Sequence, residues 1–104
     1  MTTDDKACLL VLIAAPQIEQ KVADWLLAHN EVVGFTEQMI RGYSREHGSF
    51  SITEQVTGWQ QQAMFHVQTT ENDVHGLVRR LKEDLSGCEM AYWVMPLMGC
   101  GSIY

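Results

Sequence analysis

The run Ala7-Cys-Leu-Leu-Val-Leu-Ile-Ala-Ala15 constrains this chain more than any other feature. Nine residues rich in Leu, Ile and Val, without polar alternation, are too few for a typical buried helix. They read as a strand (β1) that is apolar on both faces and therefore lies inside a sheet. Pro16 ends it, because proline cannot donate to a ladder.

The period then changes. Ile18, Val22, Trp25, Leu26 and His29 fall on one side of a helix over Gln17–Asn30, an amphipathic pattern. Fourteen residues of helix span about 21 Å, the length of a six-residue strand. Residues 32–46 return to alternation, with Phe35, Glu37, Met39 and Arg41 on one face and Thr36, Gln38 and Ile40 on the other. The Gly- and Ser-rich segment 42–53 reads as the loop of a long hairpin. A third strand is expected over Glu54–Thr69, with Gly58 as a bulge or bend. In it Ala63, Phe65 and Val67 form an apolar face, opposite Gln60, Gln62, Met64, His66 and Gln68.

Thr70-Glu-Asn-Asp73 is a run of capping residues with acids suited to a helix N-terminus. Val74, Leu77, Val78, Leu81 and Leu85 form the stripe of a second helix, and Gly87 sits where a C-terminal glycine belongs. Tyr92–Leu97 is the last strand, followed by the tail Gly99–Tyr104. The order β-α-β-β-α-β implies an α+β, ferredoxin-like sandwich: a four-stranded antiparallel sheet with both helices on one face. Residues 1–104 are expected to form a single domain.

Composition narrows the function classes. Seven Lys plus Arg against 13 Asp plus Glu give a formal net charge of −6. Such a chain repels phosphate backbones and anionic membrane surfaces, which argues against nucleic-acid binding and membrane association. The start Met-Thr-Thr-Asp-Asp-Lys lacks the basic character of a secretory signal. No stretch reaches the roughly 20 apolar residues of a membrane span. Three cysteines, Cys8, Cys88 and Cys100, suit a reducing, cytoplasmic setting better than a disulfide scaffold.

Two helices cover only one face of a four-stranded sheet. The other face of β1 is apolar as well, and an exposed patch of that size is unusual in a monomer. An oligomer whose sheets meet about a symmetry axis is therefore expected.

With this element order, the hairpin loop and the closing Trp93-x-x-Pro96 to Gly99-x-Gly101 segment, the chain resembles the PII-like proteins. It is most similar to a little-characterised bacterial family of about this length within that group, related to the CutA divalent-cation-tolerance proteins. The resemblance implies a homotrimeric regulatory or sensor protein with ligands in clefts between subunits and a link to heavy-metal homeostasis. It also implies that loop 42–53, which corresponds to the T-loop of PII, meets a protein partner. The chain departs from true PII proteins after the second helix. Ser86-Gly-Cys-Glu-Met90 replaces their Gly-Asp-Gly-Lys phosphate loop with one glycine, an acid and no lysine, which argues against PII-type ATP binding.

The candidate cleft residues are Tyr43, Arg45 and Trp59. Met95-Pro-Leu-Met98-Gly-Cys100 places three soft sulfur ligands close together. Soft sulfur selects Cu(I) among biological metals, so Met95, Met98 and Cys100, with His47 in the loop, are metal candidates. The competing reading is ordinary packing, since Met is a common gap-filler, Cys is often buried and inert, and two nearby Met are unremarkable among six. Arg79-Arg80-Leu81-Lys82 reads as a solvated face paired with Glu83 and Asp84. No nucleophile motif stands out, so catalytic residues are not assigned. The rival readings are an ACT-like small-molecule-binding module and a small dimeric α+β enzyme. An RNA-recognition module needs exposed aromatics on β1 and β3, and β1 has none.

Overall fold

Because β1 is apolar on both sides, it takes an interior place, with a strand paired on each edge. A computed structural model describes residues 5–44 and 58–104. The elements are β1 (Ala7–Ala14), a 3-10 turn (Pro16–Ile18), α1 (Glu19–Leu27), β2 (Gly34–Tyr43), β3 (Trp59–Thr70), α2 (Glu71–Asp84) and β4 (Met90–Pro96). The strands form one sheet in the order β2-β3-β1-β4, and every neighbouring pair is antiparallel. This is the ferredoxin-like arrangement.

Strand alternation sorts each residue to a face. Cys8, Leu10, Leu12 and Ala14 of β1 join Ala63, Phe65 and Val67 of β3 in the core. Val22, Trp25 and Leu26 of α1 and Val74, Leu77, Val78, Leu81 and Leu85 of α2 close it from above. Phe65, Leu10, Leu26 and Leu77 are fully buried. The apolar stripes of both helices thus lie where their spacing puts them.

Several boundaries differ from expectation. The first helix begins at Glu19, not Gln17, because Pro16 opens a 3-10 turn closed by the Ile18 amide on the Ala15 carbonyl, 3.1 Å away. It stops at Leu27 rather than Asn30, and the next amides bend into tighter turns, Ala28 to Trp25 and His29 to Leu26. Gly42 and Tyr43, which the expected strand 32–46 and loop 42–53 share, belong to β2, and that strand begins at Gly34 and ends at Tyr43. Gly58 precedes β3, with φ of 80°, rather than bulging it. The last strand starts two residues early, at Met90. The rest of the expected loop, with Arg45 and His47, lies outside the described residues, as does the expected start of β3 before Gly58.

Polar contacts tie the elements together. The Trp25 indole N–H donates to Asp84 at 2.8 Å, joining the two helices. Arg80 donates to Glu31 at 3.0 Å, joining α2 to the turn before β2. The basic cluster is therefore not paired as the sequence suggested. Asp84 is engaged by Trp25, and Arg80 by an acid 49 residues away. A backbone hydrogen bond at Glu31, helped by Arg80, holds the Glu31 carboxyl below its ordinary range.

Glu37 lies on the helix-facing side of β2, opposite Phe65. Local desolvation raises its carboxyl above the ordinary range, and the charge of Glu19 and a hydrogen bond with it add to the shift. A raised folded-state value means that the native state holds this proton more tightly than the unfolded chain does. The associated stability is present at low pH and is lost as pH rises through the raised value. We expect Glu37→Gln to be more stable than the parent near neutral pH, with the gap closing toward about pH 4. Urea midpoints across that range measure it. A gap that widens on acidification contradicts the assignment.

Candidate functional site

The helices do not cover the sheet evenly. The second helix packs on β1 and β3 and leaves the edge strand β4 partly open on the helix side. Tyr92 and Val94, which the register places opposite Leu12 and Leu10, remain 45% and 38% exposed. A cavity of about 330 Å³ opens between the last turn of α2 and the start of β4. Leu12 forms its floor, Val78, Leu81 and Leu85 its helix wall, and Met90 and Tyr92 its strand wall. The turn Ser86-Gly87-Cys88 closes one end. Gly87, at φ of 84°, adopts a left-handed conformation that favours glycine, and the Cys88 amide donates to the Leu85 carbonyl at 3.1 Å. This is the segment that departs from the PII phosphate loop.

The polar groups of the cavity are few. Lys82 Nζ stands 5.5 Å from the centre of the Tyr92 ring, within reach of a cation–π contact. Among the described residues, no carboxylate lines the space. Sequence reasoning missed this arrangement. It depends on which strands α2 covers, and no local pattern encodes that.

A second feature is the sheet face away from the helices. Leu9, Val11 and Ile13 of β1 point there. They are flanked by Met64, His66 and Gln68 of β3 and by Ala91, Trp93 and Met95 of β4. Thr36, Gln38 and Ile40 of β2 and Gln60 and Gln62 of β3 extend it. Among these residues there is no Asp, Glu, Lys or Arg. Trp93 and Met95 are 56% and 44% exposed.

The candidates named from the sequence are dispersed. Tyr43 and Trp59 are brought together as a cross-strand pair at the far end of β2 and β3. There Arg41 lies over the Trp59 ring at 4.7 Å, a contact the sequence reading did not anticipate. This end belongs to the β2 edge, whereas the cavity belongs to the β4 edge. Met95 faces the open side of the sheet beside Leu9. Met98 and Cys100 stand exposed in the segment after β4. Among the described residues, no group of three His, Cys, Asp or Glu side chains gathers as a metal site. None of the described helices is long and apolar enough to cross a membrane.

A family model described as "Protein of unknown function (DUF3240)" matches residues 3–104. Among solved structures, the chain is similar to a DUF3240 family protein from Shewanella baltica, at 26% identity and TM-score 0.78, covering 100% of both chains. It is similar to CPII, a nitrogen regulatory PII-like protein from Thiomonas intermedia bound to ADP, AMP and bicarbonate, at 17% identity and TM-score 0.67. That match covers 93% of this chain and 96% of the other. It is also similar to CutA from Synechococcus elongatus, at 15% identity and TM-score 0.69, covering 93% and 80%. No curated protein matches the chain in sequence. The PII-like and CutA likenesses establish the fold.

The three thiols differ in reach. Cys8 is buried in the core, and burial first, then Glu71 and Asp5, push its thiol up. Reactivity follows thiolate character and access. We expect Cys88 and Cys100 to react with an aromatic disulfide reagent in the native protein, and Cys8 only on unfolding. A third fast thiol contradicts the placement of β1.

Proposed function

This chain belongs to the DUF3240 family, and on that premise we propose that it is a PII-like regulatory module. In this reading it works by binding rather than catalysis, and it assembles as a homotrimer through the open face of its sheet. The observation that carries the reading is the absence of charge on that face. The chain has 20 charged side chains, 7 basic and 13 acidic, yet among the described residues none sits at a strand position on the side of the sheet that bears Leu9, Trp93 and Met95. A solvated face of an acidic protein has every reason to carry charge, whereas interface centres are depleted of it. The glutamines and His66 supply hydrogen-bonding groups that sheets from neighbouring copies can satisfy.

The cavity at the end of α2 supplies the ligand site, and the β2–β3 hairpin the surface for a protein partner. Three free cysteines fit a reducing compartment, and we assign the protein to the cytoplasm. The adenine nucleotides bound by the Thiomonas protein are a poor fit for the cavity, where a single ammonium meets a mostly apolar wall. The second reading is soft-metal binding by Met95, Met98 and Cys100, favoured by the exposure of Met98 and Cys100. It predicts stoichiometric uptake of Cu(I) that Cys100→Ser abolishes.

Thr36 and Gln38 are exposed on the open face and take no part in the core. The double substitution Thr36→Arg, Gln38→Arg should leave the monomer folded, because exposed strand positions tolerate such changes within about 0.5 kcal/mol. Buried in an interface between copies without a counter-charge, the same guanidinium groups lose their water and cost several kcal/mol. The expected outcome in sedimentation velocity is a trimer for the parent and a folded monomer for the variant. An unchanged sedimentation coefficient at micromolar concentration overturns the assignment of this face.

A further inference from the structure

The cavity between α2 and β4 has a chemistry that selects among ligands. Its walls include Leu12, Val78, Leu81, Leu85 and Tyr92, and among the described residues its one cationic group is Lys82. A volume of about 330 Å³ falls at the lower end of the range for small-molecule sites. It is about twice an engineered cavity that holds benzene. The space thus suits a single ring with a short substituent.

Lys82 is placed to read charge. The ion pair formed by the basic cluster is that of Arg80 with Glu31, and among the described residues no carboxylate lies within ion-pair distance of Lys82. Its neighbour Asp84 is occupied by the Trp25 indole. Lys82 instead rests against the Tyr92 ring, which holds the ammonium at the cavity while leaving its hydrogens available. The number of negative charges is limited as well. The cavity lies at the C-terminal end of α2, where the helix carbonyls present partial negative charge. Beside that partial charge of about −0.5, one ammonium can pair with one carboxylate, whereas the two or three charges of a phosphorylated ligand leave a much larger uncompensated excess.

We propose that this cavity binds a small organic monoanion with an apolar body of about one ring, an aryl-substituted carboxylic acid. The carboxylate accepts hydrogen bonds from the Lys82 ammonium. The ring lies between Leu12, Leu81 and Leu85, beside Tyr92. The inference rests on reading this cavity as the ligand site and is independent of the assembly of the sheet face.

The test uses the full chain and three probes of one shape: phenylacetate, its neutral amide phenylacetamide, and the dianion phenyl phosphate. Binding is followed by amide chemical shifts in a 15N-labelled sample. The expected result is saturable shifts confined to the α2 end and β4, including Leu85 and Tyr92. Phenylacetate should bind about tenfold more tightly than the amide, and phenyl phosphate more weakly than phenylacetate. Lys82→Met should abolish the preference for phenylacetate over the amide while the amide still binds. Val78→Phe, which fills the cavity, should remove both, with the melting temperature of each variant confirming its fold. Equal affinity for acid and amide overturns the inference, as do tighter binding of the dianion, shifts elsewhere on the chain, or no saturation at millimolar probe. Sedimentation of the same samples reports assembly separately. A trimer without the acid preference removes this inference and leaves the assembly reading standing.

Discussion

Both helices lie on one face of the four-stranded sheet, and among the described residues no element covers the other face; the rest of the structure answers to that imbalance. β1 shows it in eight residues. Its even-numbered side chains, Cys8 to Ala14, seal the core under the helices. Its odd-numbered side chains, Leu9 to Ile13, lie on the open side, where cross-strand neighbours flank them. Val11 is 3% exposed even so, because His66 and Trp93 flank it in the register. The β4 edge of this face carries Trp93 and Met95 and the β2 edge Thr36, Gln38 and Ile40, none of them charged. Burial of such a face is favourable at roughly 25 cal/mol per Å² of apolar area.

The same geometry creates the cavity. With both helices over one face, their reach is limited, and α2 spends its apolar stripe on β1 and β3. The edge strand β4 is left with Tyr92 and Val94 half open beneath the end of α2. The two candidate surfaces therefore share one cause: there is more sheet than helix to cover it.

Much of this was legible in the sequence. The doubly apolar run gave the central strand, the 3.6-residue stripes gave both helices, and alternation in β2 and β3 gave the correct faces, including the uncharged row Thr36, Gln38 and Ile40. What was not legible is long-range. Asp84 and Trp25 are 59 residues apart, as Arg80 and Glu31 are 49 apart. Pairing by neighbourhood in the chain assigned those charges to the wrong partners. The cavity stayed hidden because Leu81 and Lys82 read as a stripe residue and a solvated charge. Only the packing of α2 beside an under-covered edge strand turns them into a wall and a cation. At the termini of α1, the proline-induced 3-10 turn and the tight turns after Leu27 shortened a helix whose apolar periodicity runs on past its hydrogen bonds. The candidate sulfur ligands were legible as residue types, but strand direction sends Met95 to the open face, while Met98 and Cys100 follow the strand.

The central claim is that the uncharged face is an interface. The most direct measurement is the native mass of the reduced, full chain at micromolar concentration. Three copies of the 11.8-kDa chain in one particle is the predicted result. A particle with the mass of a single chain, stable in solution with Trp93 and Met95 open to water, would contradict it.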